Sequence, residues 1–429
     1  MTNGRDFDWI ALLTALVLCV VGLAMIYSVF QPPETGGDAV AADFFYFNRQ
    51  VLWLVFGLAA MLAGYLIPHR VYESLTHAYY AVCVILLVAV LLVPSGQDTQ
   101  RWLVLGPIRL QPSEFTKIAV VFVWARLLTG HRGDPRRAKN KLAVFVVFLI
   151  PFLLILKQPD LGTAIVFFGL LLPVLYWRGV KGIHILYILT PLVTAVLVMY
   201  GDYTPGMTGG TTDPATRGGS AWPIGLFVVF IFFVAYWRRA HIAESVALVV
   251  ANLGVALIVP LVWGDLKAYQ QKRILYFLQP ELDHLGTGWQ VIQSKIAIGS
   301  GGIGGKGYLA GTQKALEFLP AKHTDFVFSV LGEELGFVGV VVVLFLFLVL
   351  IIRALGIAQK CKSDFASTVC VGIAAYFFIQ VLVNVGMTTG IAPVTGIPLP
   401  FISYGGSSLV VSCFFVGFLL NCSTRWYEY

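Results

Sequence analysis

Residues 326–352 read FVFSVLGEELGFVGVVVVLFLFLVLII. From Leu335 to Ile352 no residue carries a charge, and an apolar run of about 18 residues or more crosses a hydrocarbon layer of about 30 Å as an α-helix. Similar blocks recur in both directions. Twelve candidate helices fall at 9–30, 50–67, 77–94, 114–129, 142–157, 161–178, 183–200, 222–238, 241–262, 326–352, 367–389 and 402–421. The block at 9–30 is long, follows Asp6 and Asp8, and lacks a small-x-small cleavage pattern, so it reads as the first span.

Of 429 residues, 58% are apolar and 12% charged, against roughly 45–50% and about 25% in a soluble domain. A soluble enzyme is excluded, and the regular blocks exclude a disordered or fibrous chain. The expected fold is an all-α polytopic membrane protein, one transmembrane domain over 1–429. The net charge of +7 is what basic loops on one membrane face produce, so no nucleic acid is implied. With the N-terminus inside, the short outer segments hold only Arg49, Arg101, Arg109, Lys157 and Arg217, against 15 Lys and Arg within. This bias places both termini in the cytoplasm. The segment 201–221 is rich in Gly, Thr and Pro and is expected to be a mobile outer loop. The segment 263–325 becomes a large extracytoplasmic loop.

The cysteines (Cys19, Cys83, Cys361, Cys370, Cys413, Cys422) lie in apolar spans or beside a basic loop, with no CxxC and no His at metal spacing. Neither a disulfide nor a zinc site is expected.

Polar residues at membrane depth are costly and mark function. Four clusters qualify. In Arg101-Trp102 through Arg109-Leu110-Gln111-Pro112-Ser113-Glu114 to Lys117, Ser113 can cap a helix on whose first turns Glu114 and Lys117 share a face; a structural ion pair is the alternative. In Lys157-Gln158-Pro159-Asp160, the proline stops one helix and Asp160 can cap the next. In Glu281-Leu282-Asp283-His284-Leu285-Gly286-Thr287-Gly288-Trp289-Gln290, the apolar positions Trp289, Ile292 and Ile296 predict an amphipathic helix in the headgroup layer, with Asp283 ahead of it. The run from Gly299 to Gly307 spells GxGxxG but follows no strand, and Gly307 replaces the Ser or Thr of a Walker motif. It reads as tight turns approaching a membrane or headgroup. The fourth cluster, Gly390 to Ser408, has three prolines and repeated glycines. Broken backbone at membrane depth survives only where protein or a wet cavity satisfies it, so Pro398, Ser403, Gly405 and Ser407 are expected to wall a polar cavity opening outward. His323 is expected to cap the following helix rather than move protons. Glu333 and Glu334 are expected to bond the Pro-rich segment.

RWLVLGPIRLQPSEFTK, KQPDLGTA, GTGWQVIQSKIAIGSGG, GTQKALEFLPAKHTDFVFSVLGEELG and GIPLPFISYGGSS together resemble the SEDS family of RodA and FtsW, in the family's order, over about 100–410. GTQKALEFLP is closer to the RodA branch than to FtsW. The resemblance implies 10–12 transmembrane helices and a peptidoglycan glycosyltransferase of the bacterial plasma membrane. Such an enzyme transfers the growing lipid-linked glycan onto lipid II, makes β-1,4 strands for cell elongation and shape, and releases undecaprenyl pyrophosphate. The family's essential aspartate maps onto Asp283, although Gln279 and His284 stand where relatives carry Asp and Pro. Its cavity residues map onto Glu114, Lys117 and Asp160. A class B penicillin-binding protein and other elongation-complex proteins are the partners this implies.

Chain growth needs a base, charge stabilisation and positioning. Asp283 is expected to take the acceptor hydroxyl proton. Lys117 and Arg109, with Arg101 and Gln111 nearby, are expected to hold the leaving pyrophosphate. Glu114 and Asp160 are the carboxylates that would hold a divalent cation (Mg2+ or Mn2+) or orient Lys117; no organic cofactor is implied. A lipid II flippase and a non-catalytic scaffold are the rival readings. No internal repeat between the two halves favours the first.

Overall fold

The computed structural model describes residues 7–31, 44–92, 101–105, 108–129, 138–158, 160–203, 227, 242–265, 271, 286–312 and 323–427. The expected span 222–238, except residue 227, and most of 201–221 lie outside the described residues, as does Asp283; residues 201–203 end a helix. Two compact units are distinguished, 180–288 and the remainder.

In the larger unit, α1 (Trp9–Phe30) is capped by Asp8, which accepts from Ala11 N at 3.0 Å. The same carboxylate pairs with Arg353 at 2.8 Å, tying α1 to α10 (Val327–Lys360). Next come α2 (Phe45–Leu66) and α3 (His69–Leu92), both beginning ahead of the expected blocks: the aromatic turn Phe45-Tyr46-Phe47 extends α2, and a polar turn from His69 extends α3. A hairpin of β1 (Leu103–Leu105) and β2 (Ile108–Leu110), antiparallel with Val104 opposite Arg109, leads into α4 (Pro112–Leu127). The cap of α4 is Gln111 and its first position is Pro112; the expected cap, Ser113, is buried inside the first turn. Proline fits there because its missing N–H would have had no helical partner. Then follow α5 (Ala138–Lys157) and α6 (Leu161–Trp177).

After α9 (Thr287–Gly301) and α10 come α11 (Asp364–Thr389) and α12 (Gly406–Thr424). The last begins later than the expected 402, because Pro400–Tyr404 is held in turns with Phe401 at φ 65°. α11 and α12 are buried almost throughout and form the centre. Around them α1, α2, α3 and α10 point apolar side chains outward, Phe337, Phe345 and Ile85 among them. An apolar girdle around a core holding Gln380, Asn384 and Thr388 suits lipid rather than water. Six of the described helices are long and apolar enough to cross a membrane.

Membrane helices gain little from apolar burial against one another, so close backbone approach must hold them. α2 and α12 provide it: a side chain on Gly64 would strike the backbone at Phe414 to Phe418, and one on Gly417 would strike that of Met61.

The glycine run packs on protein along one side, while residues 302–304 stay exposed. α10 breaks at Gly336 (φ 65°, ψ −165°), and the freed backbone is bonded by 301–307: Phe337 N donates to Gly302 O, Val338 N to Ile303 O, and Lys306 N to Glu333 O. Glu333 is fully buried, pairs with Lys306 Nζ at 2.7 Å and accepts from Thr312 N at 2.8 Å. Glu334 accepts from Ser28 Oγ. Both carboxylates therefore bond elsewhere than the Pro-rich segment. The preceding α9 also departs from expectation. Gln293 and Ser294 face inward and Ile296 outward, because Ser294 Oγ meets Ser329 Oγ at 2.5 Å and donates to Thr388 O at 2.6 Å.

In the smaller unit, α7 (Gly182–Tyr203) packs on α8 (Ile242–Asp265). Asn252 clamps the pair, accepting from Thr194 Oγ1 at 2.6 Å and donating to Thr190 Oγ1 at 3.1 Å.

Candidate active site

The Pro-rich segment 390–405 contains no helix, and each of its anchors comes from a side chain or a turn. Gly390 ends α11 in the left-handed region, which a residue without Cβ adopts freely. Asn384 donates to Ile397 O at 2.8 Å and Asp325 O at 3.2 Å. Ser403 Oγ accepts from Leu399 N at 2.8 Å, and Tyr404 N donates to His323 O at 2.9 Å. The segment is thereby held open as one wall of a cavity of about 480 Å³. The remaining lining comes from Phe45, Tyr46, Arg49 and Trp53 of α2, from Arg101, Trp102 and Arg109 around the hairpin, and from Gln111, Asp160, His323, Thr324 and Asp325. Pro398, Gly405 and Ser407 line the cavity, while Ser403 is turned inward to close its turn.

Asp160 caps α6, accepting from Thr163 N at 3.2 Å and Thr163 Oγ1 at 3.0 Å. It also accepts from Gln111 Nε2 at 3.4 Å, and Arg101 Nη1 lies 3.9 Å away. Gln111 is fixed in turn by its own N–H, which donates to Ser407 Oγ at 3.0 Å. Arg101, Gln111 and Asp160, distant in sequence, thus form one bonded strip along the cavity.

Glu114 and Lys117 are not in the lining. They are 2% and 1% exposed and pair with each other at 2.7 Å beneath the wall. Lys117 Nζ also donates to the Gln380 side-chain oxygen at 3.2 Å, and the Gln380 amide nitrogen donates to Pro398 O at 3.3 Å. Tyr376 lies alongside, its ring centre 5.5 Å from Lys117 Nζ. The pair therefore reaches the cavity through Gln380 and the Pro398 carbonyl. Glu114 and Asp160 do not converge as ligands for a divalent cation: Lys117 engages the first and the α6 cap the second. Among the described residues, no three His, Cys, Asp or Glu ligand atoms gather at the cavity.

The cavity collects helix starts. Those of α2, α4, α6, α10 and α12 lie at or beside its lining, and each presents backbone N–H groups and the positive end of a helix dipole. Three guanidiniums and His323 face two carboxylates, Asp160 and Asp325. The site is built for an anion with apolar or sugar surface beside it, since Trp53, Trp102, Tyr46 and Tyr404 supply flat faces. Sequence reasoning missed Arg49 and the aromatic lining. Arg49, a cation at the head of an apolar block, was the available signal. His323 does not cap α10, whose cap is Phe326; its ring sits among Phe30, Tyr46 and Tyr404, with centroids 4.9–5.8 Å away.

The chain is 37% identical over 426 residues to the peptidoglycan glycosyltransferase MrdB of Escherichia coli K12, covering 99% of this chain and 96% of that one. It is 34% identical to the peptidoglycan glycosyltransferase RodA of Treponema pallidum, covering 98% of both. It is also 34% identical to a probable peptidoglycan glycosyltransferase FtsW of Trichlorobacter lovleyi, covering 97% and 93%. Among solved structures, one described as the structural coordination of polymerization and crosslinking by a peptidoglycan synthase complex superposes with a TM-score of 0.66 at 30% identity, covering 99% of both chains. The fold also matches that of the Thermus thermophilus rod shape determining protein RodA, with a TM-score of 0.61 at 24% identity and 99% coverage of both. Residues 8–206 and 218–428 match the cell cycle protein family FTSW_RODA_SPOVE, so this polytopic membrane chain, with its arginine-lined cavity walled by the broken segment before α12, belongs to that family.

Proposed function

We propose that the chain is a peptidoglycan glycosyltransferase of the RodA branch, polymerising lipid II at the outer face of the bacterial plasma membrane. The observation that carries this is the cavity: three arginines and several helix N-termini surround a space of about 480 Å³ in a membrane bundle. A lipid-linked pyrophosphate presents the matching charge. In the reaction the 4-hydroxyl of the acceptor sugar attacks the anomeric carbon of the growing chain. The bond from that carbon to the pyrophosphate oxygen breaks, and undecaprenyl pyrophosphate leaves with the electron pair. Asp283 takes the hydroxyl proton. Arg101, Arg109 and Arg49 hold the pyrophosphate where negative charge develops, an electrostatic service of about 10²–10³ in rate per donor. The buried Lys117 adds positive potential from below. If Mg2+ or Mn2+ takes part, it would be held by the pyrophosphate oxygens with Asp160 or Asp325, since Glu114 does not reach the cavity.

The basic loop bias supports cytoplasmic termini and an outer catalytic loop. A class B penicillin-binding protein is the proposed partner, because the relative at 30% identity is described as part of a complex coordinating polymerization and crosslinking. Purified protein given lipid II in detergent, where translocation has no meaning, tests the enzyme against the flippase. Glycan strands are expected, and Arg109→Ala, an exposed position, is expected to lower turnover roughly 10²-fold with folding intact. Absence of strands from folded wild type would reject the proposal.

A further inference from the structure

The cavity uses none of the cysteines. At the opposite end of the bundle, Cys361, Cys370 and Cys422 place their sulfurs within 4.8 Å of one another. Cys361 is the residue after α10, Cys370 lies in the second turn of α11, and Cys422 lies in the last turn of α12. Cys361 Sγ also approaches Cys422 O at 3.9 Å. A fourth element closes on the group. Asn421 donates to Ile67 O at 2.9 Å, which holds the α2–α3 turn against the end of α12. His69, the first residue of α3 and two residues beyond Ile67, is 1% exposed at this end of the bundle.

Three sulfurs on a tetrahedral zinc, with Zn–S of about 2.3 Å, stand about 3.8 Å apart. The observed spread is within about an ångström of that, a contraction that small χ1 rotations supply. A disulfide would join only two of the thiols and strand the third. Three Cys and one His make the closed ligand set of a structural zinc, with no position left for substrate. Cys370 and Cys422 are buried, whereas Cys361 is half-buried and gives a metal its way in. The excess negative charge of three thiolates is met by Arg70, Lys362 and Arg425, each within three residues of a ligand.

We propose that Cys361, Cys370 and Cys422 are the sulfur ligands of a structural Zn2+ site, and that the buried His69, outside the sulfur group as the structure stands, moves in as the fourth ligand, tying the start of α3 to the ends of α10 and α12 and to the start of α11. The sequence hid it because its ligands come from four separate elements with no short spacing between any two.

The test uses the full chain, purified in detergent, reduced and stripped of metal, and titrated with Co2+ alone. The expected result is one Co2+ per chain with thiolate-to-metal charge-transfer absorption and the strong visible bands of a tetrahedral centre, both erased by Zn2+. Cys361→Ser and Cys422→Ser should abolish the signal, whereas Cys83→Ala, remote from the cluster, should keep it. Zn2+ should raise the Tm of wild type and leave that of Cys361→Ser unmoved. His69→Ala should retain thiolate absorption with Zn2+ affinity at least tenfold weaker; unchanged affinity would remove His69 from the site. Wild type without thiolate–cobalt absorption, or absorption that survives Cys422→Ser, overturns the proposal, and the wild-type titration decides even where a variant fails to fold.

Discussion

Lys117 shows what a single residue's surroundings decide. Its spacing from Glu114 fits an exposed pair or a buried one equally well, and only the fold shows the pair enclosed, 2.7 Å apart, under the Pro398 carbonyl. Removing one member of a buried pair strands the other and costs about 3–5 kcal/mol. Lys117→Ala is therefore expected to lower the thermal midpoint as well as turnover. Lys117→Met combined with Glu114→Leu should recover most of the stability, because no charge is left buried, while turnover stays low. Recovery of turnover with stability would show that Lys117 serves the fold alone. Arg101, Arg109 and Asp160 were legible because charge is scarce in this chain, and Gln111 because it stands beside the Pro112 that starts a helix. Arg49 and the aromatic lining were not, since residues like them stand at the head of many membrane helices.

Among the elements, the apolar blocks located most described helices, and their errors share a cause. Hydropathy shows where lipid is met and is silent on where a helix is extended past that block, by an aromatic turn at the start of α2 and by a polar one at the start of α3. It is equally silent on which polar face finds a partner: Ser294 and Gln293 turn inward on α9 because Ser329 and the Thr388 carbonyl await the serine. The glycine run was legible as a place of close approach, but the break at Gly336 that it clasps could not be read from spacing. Lys306→Met should loosen the clasp and destabilise the chain by up to about 3 kcal/mol, the low end for a buried pair because Lys306 is partly exposed. Faster proteolysis within 299–312 would be its readout, and unchanged proteolysis would deny the clasp a structural role. At the α2–α12 contact, Gly417→Leu should drive the helices apart and cost about 1–3 kcal/mol or more from overpacking; an unchanged thermal midpoint would contradict the close approach of α12 to Met61.

For the whole molecule, the composition implied a membrane bundle and the motif order implied the family, and both agree with the fold and with its relatives. The pairing of α2 with α12 and the gathering of helix starts around one cavity were not legible, because each joins residues hundreds of positions apart. That arrangement separates the ends of the larger unit: the arginine-lined cavity at one, cysteines and basic turns at the other. The central claim is that the chain polymerises lipid II and that Asp283 is its base. The direct measurement is glycan-strand formation from lipid II in detergent by wild type beside Asp283→Asn, with the two variants matched for thermal midpoint. The account predicts strands from wild type and a loss of at least about 10²-fold in the variant; equal strand formation by both would contradict it.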